Sequence, residues 1–303
     1  MRRFLVEKHN SCKKLFYRHG FSLVELVVAM AISLVVMAGV YKVYVTQQDS
    51  YLLQERIAEM QQNARTAKYV LVRDIRMVGY NPTRKVSSAV FKTSFVERLP
   101  GDGLDDGDPD KTSTGANSIA FTLDDNGNGV LDANFDEQIA FRVAGGNLQR
   151  FDVASGDNGA WLKVVENIEA LGFAYAFDGD GDGNIDISAN GHIIWAIDGD
   201  DSDTDERPNI NLDGNDDGVI DAGDDTNGDK LIDDNDAGTP LPAPVELDKI
   251  VAVRIWLLAK TGQSDRRYTG SETYVVGNRI LPRNDQNRRN LVTTTVKCRN
   301  MAL

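Results

Sequence analysis

Residues 21–41 read FSLVELVVAMAISLVVMAGVY, an apolar stretch interrupted by Ser22, Ser33 and a single charged residue, Glu25. As an α-helix rising about 1.5 Å per residue, this stretch would extend over roughly 30 Å, which is the thickness of the hydrocarbon core of a bilayer. The sequence therefore predicts one membrane-spanning helix over about residues 21–41.

The residues on either side of this stretch predict its orientation. Residues 1–20 hold six Lys and Arg residues and one acidic residue, Glu7. A positive flank stays in the cytoplasm, so we expect a single pass through the inner membrane with the C-terminal part outside the cytoplasm. A secretory signal ends in a small-residue cleavage site, whereas Val40, Tyr41 and Lys42 follow here, which predicts that the apolar segment stays attached.

Glu25 requires an explanation because a carboxylate inside a membrane segment costs about 2.5 to 3.5 kcal/mol at the helix centre. One interpretation is a glutamate near the helix end that reaches the membrane interface. The other is a functional site, which is the usual meaning of an ionisable residue in a membrane segment.

Residues 20–25, GFSLVE, followed by the apolar run, resemble the class III signal of type IV prepilins and of type II secretion pseudopilins. The resemblance implies that residues 1–20 are a leader, which a prepilin peptidase removes after Gly20 on the cytoplasmic side. It also implies N-methylation of the new terminus at Phe21. In that family, the residue corresponding to Glu25 pairs with the terminal amine of a neighbouring subunit during filament assembly.

The helix is predicted to continue beyond the membrane, giving a long N-terminal helix over residues 21–80. Residues 42–78 contain neither Pro nor Gly, and Gly79 with Pro82 supplies a stop signal. Apolar residues recur at steps of three or four, which is typical of a helix that packs one face. They are Leu53, Ile57, Met60, Ala64, Ala67, Leu71, Ile75 and Val78. A membrane anchor with a stalk is the alternative that spacing leaves open.

Residues 81–303 are predicted to form a β-rich globular head. Short segments rich in β-branched and aromatic residues alternate with Gly, Asn and Asp. A long helix followed by strands indicates an α+β fold with an antiparallel sheet. The candidate strands are 118–123, 138–143, 148–153, 170–177, 193–197, 250–258, 272–276 and 291–297. Residues 164–171 are ambiguous and could form a short helix.

Four further stretches resemble the minor pilins of the PilW type and, more distantly, the J-type pseudopilins: residues 61–80, 165–175, 251–258 and 288–300. The resemblance implies a type IV pilin-like fold, in which the first half of the helix spans the membrane and the second half packs on the sheet. It implies a structural subunit that assembles with other pilins in an initiation or tip complex. A type II secretion pseudopilin remains an alternative, as does a membrane-anchored calcium-dependent adhesin.

The middle of the chain is strongly acidic, with 34 acidic and six basic side chains between Asp102 and Asp236. Residues 213–224, DGNDDGVIDAGD, place oxygen-bearing side chains at positions 1, 3, 5, 9 and 12, a glycine at position 6 and an isoleucine at position 8. This is the spacing of an EF-hand-like calcium loop. The predicted ligands are Asp213, Asn215, Asp217, Asp221 and Asp224.

Three further copies of this spacing predict more calcium ligands, most of them in an acidic insertion over about residues 175–238. The second copy has Asp225, Asn227, Asp229, Asp233 and Asp236; the third has Asp178, Asp180, Asp182 and Asp186; the fourth has Asp124, Asn126, Asn128 and Asp132. The third and fourth have Ala189 and Phe135 at position 12. Because no copy has Glu there, we expect dissociation constants of about 10⁻⁴ to 10⁻³ M. Solvated Asp/Gly-rich loops are the alternative.

Several classes of function are disfavoured. A net charge of −13 argues against a nucleic-acid-binding protein. His192 is the only histidine after residue 20 and is interpreted as structural, and there is no phosphate-binding motif, so we expect no enzyme. Without its leader, the chain keeps only Cys298, which predicts a buried thiol and no internal disulfide. Calcium ions would then stabilise the head instead.

Overall fold

The computed structural model describes residues 20–82, 118–129, 137–152, 160–199 and 207–301. Apart from Gly20, the predicted leader lies outside these residues, and so does Asp132. The chain divides into two units, residues 1–52 and residues 53–303.

The described part of the first unit is a helix with an apolar surface. Helix α1, Leu23–Ile75, begins in this unit, and residues 20–44 are all exposed. It is the one helix in the described part of the chain that is long and apolar enough to cross a membrane. Exposed apolar side chains on every face are expected of a helix surrounded by lipid or by other apolar helices.

In the second unit, α1 packs one face into a hydrophobic core. Met60, Ala64, Ala67, Leu71 and Ile75 are buried there, as the helical spacing predicted. The helix ends at Ile75, five residues before the predicted end at residue 80, and turns follow up to Gly79, whose φ of 70° is readily adopted by glycine.

Eleven strands are described, and all of their pairings are antiparallel. They are β1 Ile119–Thr122, β2 Gln138–Ala144, β3 Asn147–Asp152, β4 Ala160–Glu166, β5 Ile168–Phe177, β6 Ala196–Ile197, β7 Ile210–Asn211, β8 Ile250–Lys260, β9 Gly270–Val276, β10 Arg279–Asp285 and β11 Arg289–Lys297. The hydrogen-bonded sheets have the orders β1-β2-β3-β4, β9-β10 and β11-β8-β5-β6-β7. A long helix packed on antiparallel sheets confirms the predicted fold class.

Strands β5 and β8 form the centre of the head and are buried on both faces. Side chains of one face, such as Phe173 and Ile255, join the core that contains α1. Side chains of the other face, such as Trp256, join a second core with Ile220 and Ile232. These two isoleucines occupy position 8 of the first two predicted calcium loops, so the loops are anchored on the sheet face opposite α1.

The structure corrects three expectations about local structure. Residues 164–171 are not a short helix: they form the end of β4 and the start of β5, separated by Asn167 with a φ of 60°. Strands β4, β7 and β10 were not predicted, because β7 has two residues, β4 buries only one of its seven residues and β10 contains Pro282. The segment 193–197 keeps only its last two residues as strand β6.

Candidate functional site

The predicted processing residues lie at the start of α1. Gly20 and the largely exposed Phe21 precede the first helical turn. The N–H and the hydroxyl of Ser22 donate to Glu25 Oε2 at 2.9 and 3.0 Å, and the Glu25 N–H donates to Ser22 Oγ at 3.2 Å. This reciprocal arrangement is a capping box. The carboxylate that the resemblance pairs with a neighbouring amine therefore caps its own helix in the single chain.

In the loop at residues 213–224, the carboxylate at position 1 is held by the backbone. Asp213 Oδ1 accepts the N–H of Asp217 at 3.1 Å, and Asp213 Oδ2 accepts the N–H of Gly218 at 2.9 Å. Gly218 has a φ of 86°, which only glycine adopts without a steric cost. The glycine at position 6 therefore allows the chain to fold around the Asp213 carboxylate, as the spacing predicted.

The carboxylate at position 12 closes the same loop from the other end. Asp224 is fully buried and accepts the N–H of Asn215 at 3.3 Å and that of Asp221 at 2.9 Å. Burial raises the pKa of Asp224, and the neighbouring charges of Asp213 and Asp221 raise it further. A carboxyl group that is buried beside other carboxylates is stabilised in its ionised form by a cation.

The second loop, residues 225–236, repeats three of these four contacts, and its position-1 carboxylate accepts the N–H of position 4 instead of position 5. Asp225 accepts the N–H of Gly228 at 2.6 Å and that of Lys230 at 2.9 Å, and Asp236 accepts the N–H of Asn227 at 3.1 Å and that of Asp233 at 3.0 Å. Burial would raise the pKa of Asp236, but these backbone donors, together with the N–H and hydroxyl of Thr226, outweigh it and hold the pKa below its usual value. Lys230, in the position of glycine, has a φ of 78°.

The third loop brings three of its predicted ligands together. Carboxylate oxygens of Asp178, Asp180 and Asp186 lie within 4.8 Å of one another. Burial raises the pKa of Asp186, and the charges of Asp180, Asp178 and Asp182 add to the shift. Asp178 accepts the N–H of Gly183 at 2.9 Å, which is the contact from position 6 to position 1 seen in the first loop.

The fourth loop is described only in part. Asp124 Oδ2 accepts the N–H of Gly129 at 3.0 Å, again from position 6 to position 1. Asn126 and Asn128 occupy positions 3 and 5, whereas Asp132 lies outside the described residues.

Two contacts are common to all four loops. The carboxylate at position 1 accepts the N–H of position 6, as described above, and the side-chain oxygen at position 3 accepts the N–H of position 5. The distances from the backbone nitrogen of position 5 to the Oδ1 of position 3 are 3.0 Å for Asp217 and Asn215, 2.9 Å for Asp229 and Asn227, 3.0 Å for Asp182 and Asp180, and 2.8 Å for Asn128 and Asn126. The residues offer only oxygen atoms, the ligands that calcium prefers. The donor set therefore suits calcium, and the carboxylates of the third loop also converge.

The structure adds a group of residues that the sequence did not predict. His192 Nδ1 lies 3.1 Å from the carbonyl oxygen of Asp216 and 3.2 Å from its Oδ1, and ligand atoms of His192, Asp213 and Asp216 lie within 4.8 Å of one another. Asp216 is at position 4, which the calcium-loop spacing leaves out. His192 is remote in sequence, so only the fold reveals that it packs beside the first loop.

Comparison with protein families covers nearly the whole length of the chain. Residues 15–41 match the prokaryotic N-terminal methylation motif, and residues 53–221, more than half of the chain, match the prepilin peptidase-dependent protein B family. The chain belongs to this family. Residues 219–300 of this prepilin-like protein also match the type IV pilus-assembly protein W family. The three matches confirm the expectation of a type IV minor pilin of the PilW type, a membrane-anchored component of pilus assembly.

A search of solved structures found a type IV-like pilin from Thermus thermophilus. It is 15% identical, the alignment covers 83% of this chain and 98% of that chain, and the TM-score is 0.35. A search of curated proteins found no match to the chain described here.

Proposed function

We propose that this minor pilin is a structural subunit of an initiation or tip complex in type IV pilus assembly, and that calcium stabilises its head. The observation that carries the assembly role is the GFSLVE motif at the start of a long helix, in a chain whose other end matches pilus-assembly protein W. In this role, the peptidase cleaves after Gly20, and the new Phe21 terminus is methylated in the inner membrane. Before cleavage, the basic flank keeps this end of the chain on the cytoplasmic side.

Release of the leader would create an amine beside the capping box. Glu25 then has two competing partners, its own Ser22 and the amine of a neighbouring subunit. A charged amine is the stronger partner in an apolar environment, because ion pairs are weakly screened there. Exchange of the cap for an intersubunit pair would therefore favour the assembled state over the isolated subunit.

The proposed role of calcium rests on the carboxylates of the first two loops. Asp213, Asp224 and Asp236 are buried within loops of high negative charge. A bound cation would neutralise this repulsion, and it would stabilise only the folded loops, since the unfolded chain does not bring the ligands together. The loops are packed on the second core through Ile220 and Ile232, so their stabilisation is transmitted to the sheet.

The assembly role is tested by complementing a deletion strain with the wild-type gene or with the Glu25→Ala variant, and with Glu59→Ala as a matched control on the same helix. We expect surface pili with the wild-type and the control, few or none with Glu25→Ala, and copurification of the protein with other pilins. If loss of the gene stops protein secretion and leaves pili unchanged, the protein is a secretion pseudopilin. Normal pili and normal secretion would instead favour an anchored adhesin.

A further inference from the structure

Glu137 is a buried carboxylate beside the fourth loop. It lies directly before β2, and its carbonyl oxygen accepts the N–H of Leu123 at 3.0 Å, so the pairing of β1 with β2 extends to this residue. Its side chain is fully buried, and its Oε1 lies 3.4 Å from the backbone nitrogen of Asn126. The register of two strands thus brings Glu137 to the loop at Asp124, although it is thirteen residues later.

The contact between Glu137 and Asn126 matches a contact in the first two loops. There, the carboxylate at position 12, Asp224 or Asp236, accepts the N–H of position 3. In the fourth loop, position 12 is Phe135, which has no carboxylate. Glu137, at position 14, accepts the N–H of Asn126 at position 3 instead. The longer side chain of glutamate and the register of β2 compensate for the two additional residues.

Asp124 provides independent evidence that this loop binds a ligand. Its side chain is 1% exposed, and its Oδ1 has no hydrogen-bond partner in the part of the chain that the structure describes. An unpaired carboxylate oxygen that is hidden from water costs free energy unless a proton or a cation is bound to it. The other oxygen, Oδ2, already faces into the loop through the N–H of Gly129.

We propose that Asp124, Asn126, Asn128 and Glu137 bind a calcium ion, with Glu137 in place of the missing carboxylate of position 12. This inference deepens the proposed calcium binding, but it concerns a separate loop that is anchored elsewhere. The N–H of Asp124 donates to the carbonyl oxygen of Tyr80 at 2.8 Å, and the N–H of Gly79 donates to the carbonyl oxygen of Thr122 at 3.1 Å. The ion would therefore stabilise the β1–β2 hairpin against the segment that follows α1.

The number of calcium ions bound to the full-length protein in detergent tests this site. We expect Glu137→Gln, which preserves the size of the side chain, to lose one bound ion per chain in native mass spectrometry. Glu246→Gln, a matched change at an exposed glutamate, should bind as many ions as the wild type. An unchanged count and affinity for Glu137→Gln would overturn the inference.

A second variant separates this site from the loops at residues 213–236. We expect Asp213→Asn to lose a different ion, and the double variant to lose both. If Asp213→Asn loses an ion and Glu137→Gln does not, the inference is wrong while the proposed stabilisation of the other loops stands. If only Glu137→Gln loses an ion, the inference stands and the loop at Asp213 does not bind calcium.

Hydrogen exchange tests the site in the wild-type protein, so the result does not depend on whether a variant folds. Calcium should slow amide exchange at least tenfold in a peptide that covers residues 118–129, because the N–H groups of Asn128 and Gly129 are bonded within the loop and that of Asn126 is bonded to Glu137. Slower exchange confined to residues 207–239 would contradict the proposed site.

Discussion

Asp224 Oδ1 accepts the backbone N–H of Asn215 at 3.3 Å, so a fully buried carboxylate closes a loop across nine residues of sequence. Asp224 Oδ2 accepts a second N–H, from Asp221, at 2.9 Å. The backbone alone therefore orients the carboxylate at position 12. A cation bound beside this carboxylate would stabilise its ionised form.

We expect calcium to raise the melting temperature of the pilin. At a calcium concentration ten times the dissociation constant, each site would add about 1.4 kcal/mol to the free energy of unfolding. Asp224→Asn should reduce this gain, whereas Asp234→Asn, at an exposed position of the second loop, should retain it. Differential scanning fluorimetry with calcium and with chelator measures both. A melting temperature that is the same in calcium and in chelator would contradict the prediction.

Lys230→Gly should stabilise the head by roughly 0.5 to 1 kcal/mol. Lys230 has a φ of 78°, where a residue with a Cβ pays about 1 to 2 kcal/mol, and the greater entropy of glycine in the unfolded chain offsets part of the gain. Lys230→Ala is the matched control, because it removes the same charge and keeps the Cβ. Urea denaturation in chelator compares the two. Equal stability of both variants would show that backbone strain is not the cause.

Glu169→Gln should destabilise the head by about 2 kcal/mol at pH 7, between the cost of breaking an exposed and a buried ion pair. Glu169 is 13% exposed and bonds to Arg289 at 2.7 Å and to Arg283 at 2.6 Å, which connects β5 to β11 and β10. Glu166→Gln, at an exposed pair with Lys163, should cost less than about 1 kcal/mol.

The effect of Glu169→Gln should depend on pH in a defined direction. Burial would raise the pKa of Glu169, but the two guanidinium groups outweigh it and hold the pKa below its usual value of 4.5. The stabilisation is therefore fully present above pH 4.5 and is lost as the pH falls through the lower pKa of the folded state. Denaturation curves at several pH values should show the difference between wild type and variant shrinking in acid. A constant difference would contradict the ion-pair account.

Cys298 should react with a thiol reagent only when the protein unfolds. Its side chain is completely buried, and burial raises its pKa to about 12, so almost no thiolate is present at pH 8. In the chain without residues 1–20, we expect reaction with a disulfide reagent to be at least a hundredfold slower in buffer than in denaturant. Rapid reaction of the folded protein would show that the C-terminal strand opens readily.

The helix and the central strands were predictable because their apolar residues follow a period. Met60, Ala64 and Leu71 recur at helical steps, and the structure buries all three. Strand β8 is an apolar run apart from Arg254 and its last residue, Lys260, as expected for a strand covered on both faces. Strand β10 was missed because Pro282 and its charged residues are atypical of strands, and it forms only through pairing with β9.

The loops were predictable from local spacing, but their surroundings were not. The contacts from position 3 to position 5 involve residues two apart, so the pattern of Asp and Asn is sufficient to predict them. Glu137 and His192 reach their loops through strand register and packing, which no local spacing encodes. Counting twelve residues from Asp124 leads to Phe135, whereas the fold brings Glu137 to the loop.

The proposed assembly role is tested most directly by mass spectrometry of the N-terminal peptide, prepared from sheared surface filaments and from membranes. Cleavage after Gly20 and entry into the pilus predict a chain in the filaments that begins with N-methylated Phe21. An intact leader in both fractions would contradict this account, because an unprocessed chain has no free amine at Phe21 for the Glu25 of a neighbouring subunit.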